Sequence, residues 1–92
     1  MIRSFASRDT EELFEGGAPR KFRSFRAQAE RKLQMLDSAK DLNDLRVPPG
    51  NRLEKLSGGR RGQHSIRNNH QWRICFRWRD DGAWDVAIVD YH

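Results

Sequence analysis

Arginines dominate the residues of this 92-residue chain that could do chemistry. Fourteen of the 18 basic residues are arginines, and residues 46–79 hold nine basic residues against one acid, Glu54, which gives that segment a net charge of +8. A guanidinium group binds phosphate through a planar fork and stacks on bases. The segment therefore predicts an anionic partner, with nucleic acid as the leading class, although a purely solubilising surface would carry the same charge.

Two further groups could bind phosphate or transfer protons. The glycine-rich run 58–62 contains Arg60 and Arg61 and could hold a phosphate through backbone amides and guanidinium groups. A plain hairpin loop has the same composition. The lone acid Glu54 could accept a proton or orient an arginine. The second group follows an apolar run and offers a carboxylate, a phenol and an imidazole: Asp90, Tyr91 and His92.

Other classes of chemistry have little support in the residues. His64, His70 and His92 could ligate a metal with Cys75, but a predicted turn separates the first two, so we expect no metal site. No Walker loop, dinucleotide fingerprint or HExxH motif occurs, so we expect no cofactor. The sequence has no apolar run near the ~18 residues that cross a bilayer and no apolar core of a secretory signal. We therefore expect a cytoplasmic protein with no membrane partner.

Two helices are predicted in the first half of the chain. A short helix begins at Asp9–Glu12, capped by Ser7 or Asp9, and ends at Gly16-Gly17. A longer helix begins after Pro19 and ends near Leu36. Its apolar residues are spaced three or four apart and form one stripe: Phe22, Phe25, Ala29, Leu33 and Leu36.

After Pro48-Pro49-Gly50 the apolar period changes to two, which predicts strands at 51–56, 63–67, 71–79 and 84–91. A turn at 80–82 joins the last two, and residues 2–6 are expected to form a first or edge strand. Strand 84–91 is apolar on both faces, which predicts a central position. In 71–79, Trp72, Ile74, Phe76 and Trp78 alternate with Arg73, Cys75, Arg77 and Arg79.

This order of elements predicts an α+β fold in one domain, residues 1–92. The expected sheet is small and mostly antiparallel, with an N-terminal strand and C-terminal strands, and two helices pack on one face. The helices would cover the face that carries Trp72 and Phe76. Arg73 and Arg77 would then project from the uncovered face, where a ligand could bind.

Three stretches carry a more specific pattern: Gly62-Gln63-His64-Ser65-Ile66-Arg67, Gln71-Trp72-Arg73-Ile74-Cys75-Phe76 and Val89-Asp90-Tyr91-His92. Together they resemble the RelE/ParE toxin superfamily, and within it the HigB branch of bacterial toxin–antitoxin pairs. Residues 1–5, 12–14 and 52–58 fit the same branch, so the resemblance covers nearly the whole chain. It implies a RelE-like sheet backed by two helices, and a ribosome-dependent endoribonuclease that enters the A site and cuts messenger RNA within a codon.

The resemblance also implies roles for single residues. Arg73 falls on the family's arginine that contacts the scissile phosphate, and residues 90–92 fall on its functional C-terminal group. Where well-known HigB members carry a histidine and a lysine, this chain has Glu54 and Ser57. Glu54 is therefore the candidate base for attack by the 2′-hydroxyl, and His92 and Tyr91 are candidates for the leaving-group acid. The candidate catalytic set is Arg73, Glu54, Tyr91, His92 and Asp90, and the candidate RNA-binding set is Arg60, Arg61, Arg67, Arg77 and His64.

The partners implied by the resemblance are a HigA-like helix-turn-helix antitoxin, the ribosome with its messenger RNA, and operator DNA reached only through the antitoxin complex. Two other interpretations stay open. ParE-type relatives share the fold but inhibit DNA gyrase by binding, and the arginines would then form a protein-docking surface. An RNA-binding module without chemistry is the third.

Overall fold

The computed structural model describes residues 1–90, which form a four-stranded antiparallel sheet with two α-helices on one face. The helices are α1 (Arg8–Phe14) and α2 (Arg26–Ser38). The strands lie side by side in chain order: β1 (Glu54–Lys55), β2 (His64–Arg67), β3 (Trp72–Arg79) and β4 (Gly82–Asp90). The predicted α+β class is confirmed. Within residues 1–90, no helix has the length and apolar character required to cross a membrane.

Helix α1 forms as its sequence predicts. Ser7 is the N-cap, and its hydroxyl accepts a hydrogen bond from the backbone N–H of Thr10 at 3.2 Å. This bond satisfies one of the unpaired amides of the first turn. The helix ends before Gly16, which has a φ of +100°.

The predicted second helix is divided in two. Residues 20–25 form a 3₁₀ helix and α2 begins at Arg26, because the backbone of Phe25 (φ −132°, ψ 26°) leaves the helical region. Side chains three residues apart eclipse in a 3₁₀ helix. Phe22 and Phe25 thus point the same way, with their ring centroids 5.7 and 5.4 Å from that of Trp72. The predicted stripe is still largely buried: Phe22, Ala29, Leu33 and Leu36.

Strand β4 lies at one end of the sheet order, so its predicted central position is wrong for the four-stranded sheet. The strand predicted at residues 2–6 is also absent from the described fold. Ile2 and Phe5 instead form isolated parallel bridges with Ala83 and Val86 of β4. β4 therefore has a neighbour along both edges, as its apolar sequence suggests, but the outer neighbour is a bridged segment rather than a strand.

The hairpin between β3 and β4 confirms the predicted turn. Arg79 pairs with Gly82, and the two residues between them, Asp80 and Asp81, have φ values of +52° and +58°. Positive φ at both central positions is the type I′ geometry, whose twist matches that of the flanking strands.

Strand β1 has two residues instead of the predicted six. Pro49–Asn51 form a 3₁₀ turn, and Arg52 has a left-handed backbone (φ +46°), so the chain becomes extended only near Glu54. The alternation around Leu53 therefore overestimates the strand, because a local pattern does not report the turn that precedes it.

Asn51 is a fully buried polar hub between this turn and α2. Its Nδ2 donates to the carbonyls of Leu45, at 3.1 Å, and Val47, at 3.4 Å. Its Oδ1 accepts from the ammonium of Lys32 on α2. The hub satisfies carbonyls that the irregular segment 42–51 would otherwise bury unpaired.

The two helices and the sheet enclose one thin core. Its sheet side is formed by Ile66, Ile74, Phe76, Val86 and Ile88. One buried hydrogen bond joins the layers, because the hydroxyl of Thr10 on α1 accepts from the backbone N–H of Ile88 at 3.0 Å. The opposite face of the sheet is thereby left for polar residues.

Candidate active site

Strand register gathers the candidate residues on the face of the sheet opposite the helices, here called the arginine face. Ser65 is the cross-strand partner of both Glu54 and Cys75. Cross-strand partners share a face, and side chains two residues apart on one strand also share it. Arg73 and Arg77 therefore lie on the same face as Glu54. The predicted alternation of β3 is confirmed.

Arg73 is anchored at the centre of the arginine face. Its Nε donates to Ser65 Oγ at 2.8 Å, and its Nη2 donates to the backbone carbonyl of Arg52 at 2.7 Å. The side chain is only 12% exposed. A guanidinium held by two acceptors has lost most of its rotamer freedom before any ligand arrives, so it can present its charge at a fixed point.

Glu54 lies beside this guanidinium. Its Oε2 is 3.9 Å from Arg73 Nη2, and the side chain is 54% exposed. An ion pair that long and that accessible to water contributes about 0–1 kcal/mol to stability. The pair therefore contributes little to the stability of the fold.

The loop 57–63 folds over the arginine face and meets Arg77. Nη1 of Arg77 donates to the carbonyl of Arg61 at 3.4 Å, and its Nε is 3.5 Å from Asp85 Oδ2. Gly62 has a φ of +90°, and a Cβ there would lie 2.6 Å from Arg77 Nη1. Only glycine combines this backbone with so close an approach.

The sequence predicts an uncovered arginine face, but Cys75 shows that part of this face is covered. The residue is 1% exposed, and burial raises the pKa of its thiol, while the nearby charges of Arg60 and Arg73 oppose that rise. The middle of the arginine face is therefore closed to solvent at Cys75. Arg60 and Arg61 themselves are exposed on the loop, which suits contact with a large anion.

His64 lies away from the other candidate residues. It pairs with Phe76 across the strands and stacks on its ring, which places it on the helix-facing side of the sheet. Burial, and then the charge of Lys55, lower its pKa. His64 therefore lies on the opposite face of the sheet from Arg67 and Arg77, because one residue along a strand reverses the face, and its RNA-binding role stays a prediction.

Arg67 lies at the edge of the arginine face, whereas Asp90 shares the helix-facing side of the sheet with its cross-strand partner Trp72. Arg67 turns onto the β2–β3 connection, where its Nη2 donates to His70 Nδ1 at 2.8 Å. Asp90 pairs with Trp72 across the strands and accepts from Gln71 Nε2 at 2.9 Å. The other two candidates of the C-terminal group, Tyr91 and His92, lie outside the described residues.

Ser65 and the carbonyl of Arg52 are site groups that the sequence reasoning missed. Ser65 is fully buried in a short strand, two positions before Arg67. Its place on the outward face of β2 was available from alternation alone. Its contact with Arg73 depends on the register between β2 and β3, which alternation within one strand does not reveal.

Comparisons with known proteins agree with this fold. A family model described as the RelE-like toxin of the type II toxin–antitoxin system HigB matches residues 3–92. Toxin HigB-1 of Vibrio cholerae is 54% identical over 58 residues, which cover 63% of this chain and 61% of that protein. An uncharacterized protein of Haemophilus influenzae is 39% identical over 51 residues, 55% of this chain and 50% of that protein. The matches thus span between half and three fifths of these relatives.

Two solved structures from Staphylococcus aureus share the fold at low sequence identity. A chain of a YoeB–YefM complex has a TM-score of 0.61 at 20% identity, and one of a heterotetrameric YoeB–YefM toxin–antitoxin complex has 0.64 at 22%. Each alignment covers 100% of this chain and 98% of the other. With the family model matching nearly every residue, this chain belongs to the HigB-like family of RelE-like toxins of type II toxin–antitoxin systems.

Proposed function

We propose that this chain is a ribosome-dependent endoribonuclease that cuts messenger RNA and so inhibits translation. The observation that carries the proposal is the anchored guanidinium of Arg73 with the carboxylate of Glu54 3.9 Å away, on a face ringed by arginines. A fixed cation can stabilise the charge that develops on a phosphoryl group, and an accessible carboxylate beside it can accept the proton of the attacking hydroxyl. Membership in the toxin family supports the same conclusion.

The proposed reaction uses the 2′-hydroxyl of the substrate as the nucleophile. Its oxygen bonds to the adjacent phosphorus, the bond from phosphorus to the 5′-oxygen breaks, and the products are a 2′,3′-cyclic phosphate and a 5′-hydroxyl. Negative charge grows on the phosphoryl oxygens in the transition state. Arg73 would stabilise this charge, and one such preorganised donor contributes about 3–4 kcal/mol.

Glu54 is the proposed base that removes the 2′-hydroxyl proton. The long contact with Arg73 and an exposure of 54% leave its carboxylate accessible to a substrate. General-base catalysis of this kind contributes about 10²–10⁴-fold. Glu54→Gln keeps the size of the side chain and removes the base, so it should slow cleavage by at least 100-fold while leaving the fold intact.

The leaving 5′-oxygen needs a proton, for which His92 and Tyr91 are the proposed donors. Both follow β4, and Val89 near the end of β4 is the cross-strand partner of Arg73. Asp90, bonded to Gln71, would help to fix the position at which β4 ends. Arg60, Arg61, Arg67 and Arg77 are the proposed contacts to the RNA backbone.

The proposed partners are the ribosome with its message and a neutralising antitoxin of the HigA kind. The toxin–antitoxin family and the two YoeB–YefM complexes support an antitoxin partner. The antitoxin would carry the operator contacts. Co-expression with a neighbouring antitoxin gene should suppress toxicity and yield a complex that elutes as one species in size-exclusion chromatography.

Primer extension on cellular messages after brief induction tests the nuclease directly. The wild type should produce cuts at in-frame positions within translated regions, Arg73→Ala should produce none, and Arg20→Ala, which removes an exposed arginine far from the site, should cut like the wild type. A fully active Arg73→Ala variant would overturn the assignment of that residue.

Growth arrest with intact messages would overturn the nuclease and favour the gyrase-inhibitor alternative. DNA supercoiling measured in the same induced cells separates the two, since a translation inhibitor leaves plasmid topology unchanged at early times. RNA binding without cleavage or arrest would indicate the simple RNA-binding module.

A further inference from the structure

A cleft of about 360 Å³ lies where the β2–β3 connection meets α2, beside the candidate active site. The side chains around it are polar, and none of these described residues is acidic: Gln28, Lys32, Arg67, Asn68, Asn69 and His70. The proposed reaction assigns no role to this cleft beyond that of Arg67. Its composition favours an anionic ligand with hydrogen-bonding groups.

Asn68 is the unusual member of this lining. The residue is 3% exposed, and within residues 1–90 neither its Nδ2 nor its Oδ1 has a hydrogen-bond partner. Native proteins rarely bury an amide without partners, since each unpaired atom carries its full desolvation cost. A ligand that presents one donor and one acceptor side by side would satisfy both atoms, whichever way the amide is oriented.

The cations beside Asn68 are held in place by the fold. Arg67 donates through Nε to the carbonyl of Asn69, at 3.3 Å, and through Nη2 to His70. Lys32 donates to Asn51. Arg67 is also the cross-strand partner of Arg73, and such partners have Cβ atoms about 5 Å apart. A ligand that reaches from Arg73 to the cleft therefore passes Arg67.

We propose that this cleft binds one nucleotide of the RNA strand next to the nucleotide that is cleaved. Asn68 turns toward the cleft and pairs with the edge of the base, while Lys32 and Arg67 face the phosphate. Nucleobase edges carry a donor and an acceptor side by side, and asparagine binds such edges through both atoms. A peptide amide has the same pair of groups, but the cationic lining favours a polyanion. The inference rests on the proposed RNA substrate.

Fluorescence anisotropy with 2′-O-methyl RNA pentamers tests the cleft without cleavage, since these probes lack the attacking hydroxyl. The set comprises the four homopolymers and a pentamer with an abasic sugar at its centre. Asn68→Leu should bind at least one homopolymer about tenfold more weakly than the wild type and bind the abasic pentamer equally well. Asn68→Asp, which adds a charge that repels phosphate, should bind every pentamer more weakly. Lys21→Gln, which removes a cation outside the cleft, should match the wild type.

Three kinds of result would overturn the inference. The first is that Asn68→Leu binds each pentamer as tightly as the wild type does, or that the wild type binds no pentamer at all. The second is an equal loss for abasic and complete pentamers, because the cleft would then contact only the backbone. The third is an Asn68→Leu variant that keeps RNA binding and loses antitoxin binding, which would assign the cleft to a peptide. The uncharged variant Asn68→Ala gives the same comparisons if Asn68→Leu does not fold.

The proposed nuclease activity and the proposed role of the cleft can be refuted separately. If Asn68→Leu cuts messages with the pattern and rate of the wild type and binds pentamers equally well, the cleft inference falls and the nuclease stands. If the wild type cuts no message but pentamer binding still depends on Asn68, the nuclease falls and the cleft stands as an RNA-binding site.

Discussion

Ser65→Ala tests whether the position of Arg73, and not only its charge, matters for activity. Ser65 Oγ accepts from Arg73 Nε at 2.8 Å, and the substitution removes only this acceptor. The Nη2 bonds to the carbonyls of Arg52, at 2.7 Å, and of Ser65, at 3.4 Å, remain, so the guanidinium stays near its place but loses the acceptor that fixes its Nε. Ser65 is thus a positioning residue that acts through Arg73.

The magnitude follows from the burial of the pair. A hydrogen bond to a charged group contributes about 1.5–3 kcal/mol, and Arg73 at 12% exposure has little water to replace the lost acceptor. If that energy is lost mainly in the transition state, cleavage slows by about 10–100-fold. A loss of about 1 kcal/mol from the folded state would lower Tm by about 4–8 °C in a domain of this size.

Single-turnover cleavage of a short message on programmed ribosomes, with saturating toxin, measures the rate, and circular dichroism measures Tm. Ser24→Ala, which changes an exposed serine of the 3₁₀ helix 20–25, is the matched control and should cleave within twofold of the wild type. The double variant Ser65→Ala/Arg73→Ala should be no slower than Arg73→Ala alone, since both changes act on one group. Wild-type cleavage by Ser65→Ala at a lowered Tm would refute the reasoning and leave Ser65 a purely structural role.

Three further predictions concern the fold around the site. Asn51→Leu leaves the buried carbonyl of Leu45 without its donor and should destabilise the protein by about 1–3 kcal/mol, measured by urea unfolding; an unchanged midpoint would contradict the hub. Gly62→Ala places an L side chain at a φ of +90° and should cost about 1–3 kcal/mol through backbone strain, since the flexible end of Arg77 can move away from the new Cβ, whereas Gly59→Ala in the same loop meets no atom within 4 Å and should be neutral. Burial lowers the pKa of His64 from 6.5, so the unfolded chain binds the proton more readily than the folded protein, and Tm should fall as pH drops below about 6.5. His64→Gln should weaken this dependence of Tm on pH. An identical pH profile for the variant and the wild type would show that His64 does not contribute.

Local periodicity determined much of the architecture from the sequence alone. The stripe from Phe22 to Leu36 predicted the buried side of the long helical segment, and the two-residue alternation of β3 placed Arg73 and Arg77 on one face. These patterns suffice because both depend on residues close together in the chain. The division of the helix at Phe25 escaped prediction, since both helix types bury the same stripe.

The register between strands that are distant in sequence determined which side chains meet at the candidate site. Arg73 is anchored by groups 8 and 21 residues away in sequence, and Glu54 reaches it only because β1 pairs with β2 in one particular register. His64 falls on the opposite face because it pairs with Phe76. Each of these placements depends on turns whose geometry fixes how strands align, and a shift of one residue would reverse every face. The residue types thus came from the sequence, and their meeting at one point came from the tertiary structure.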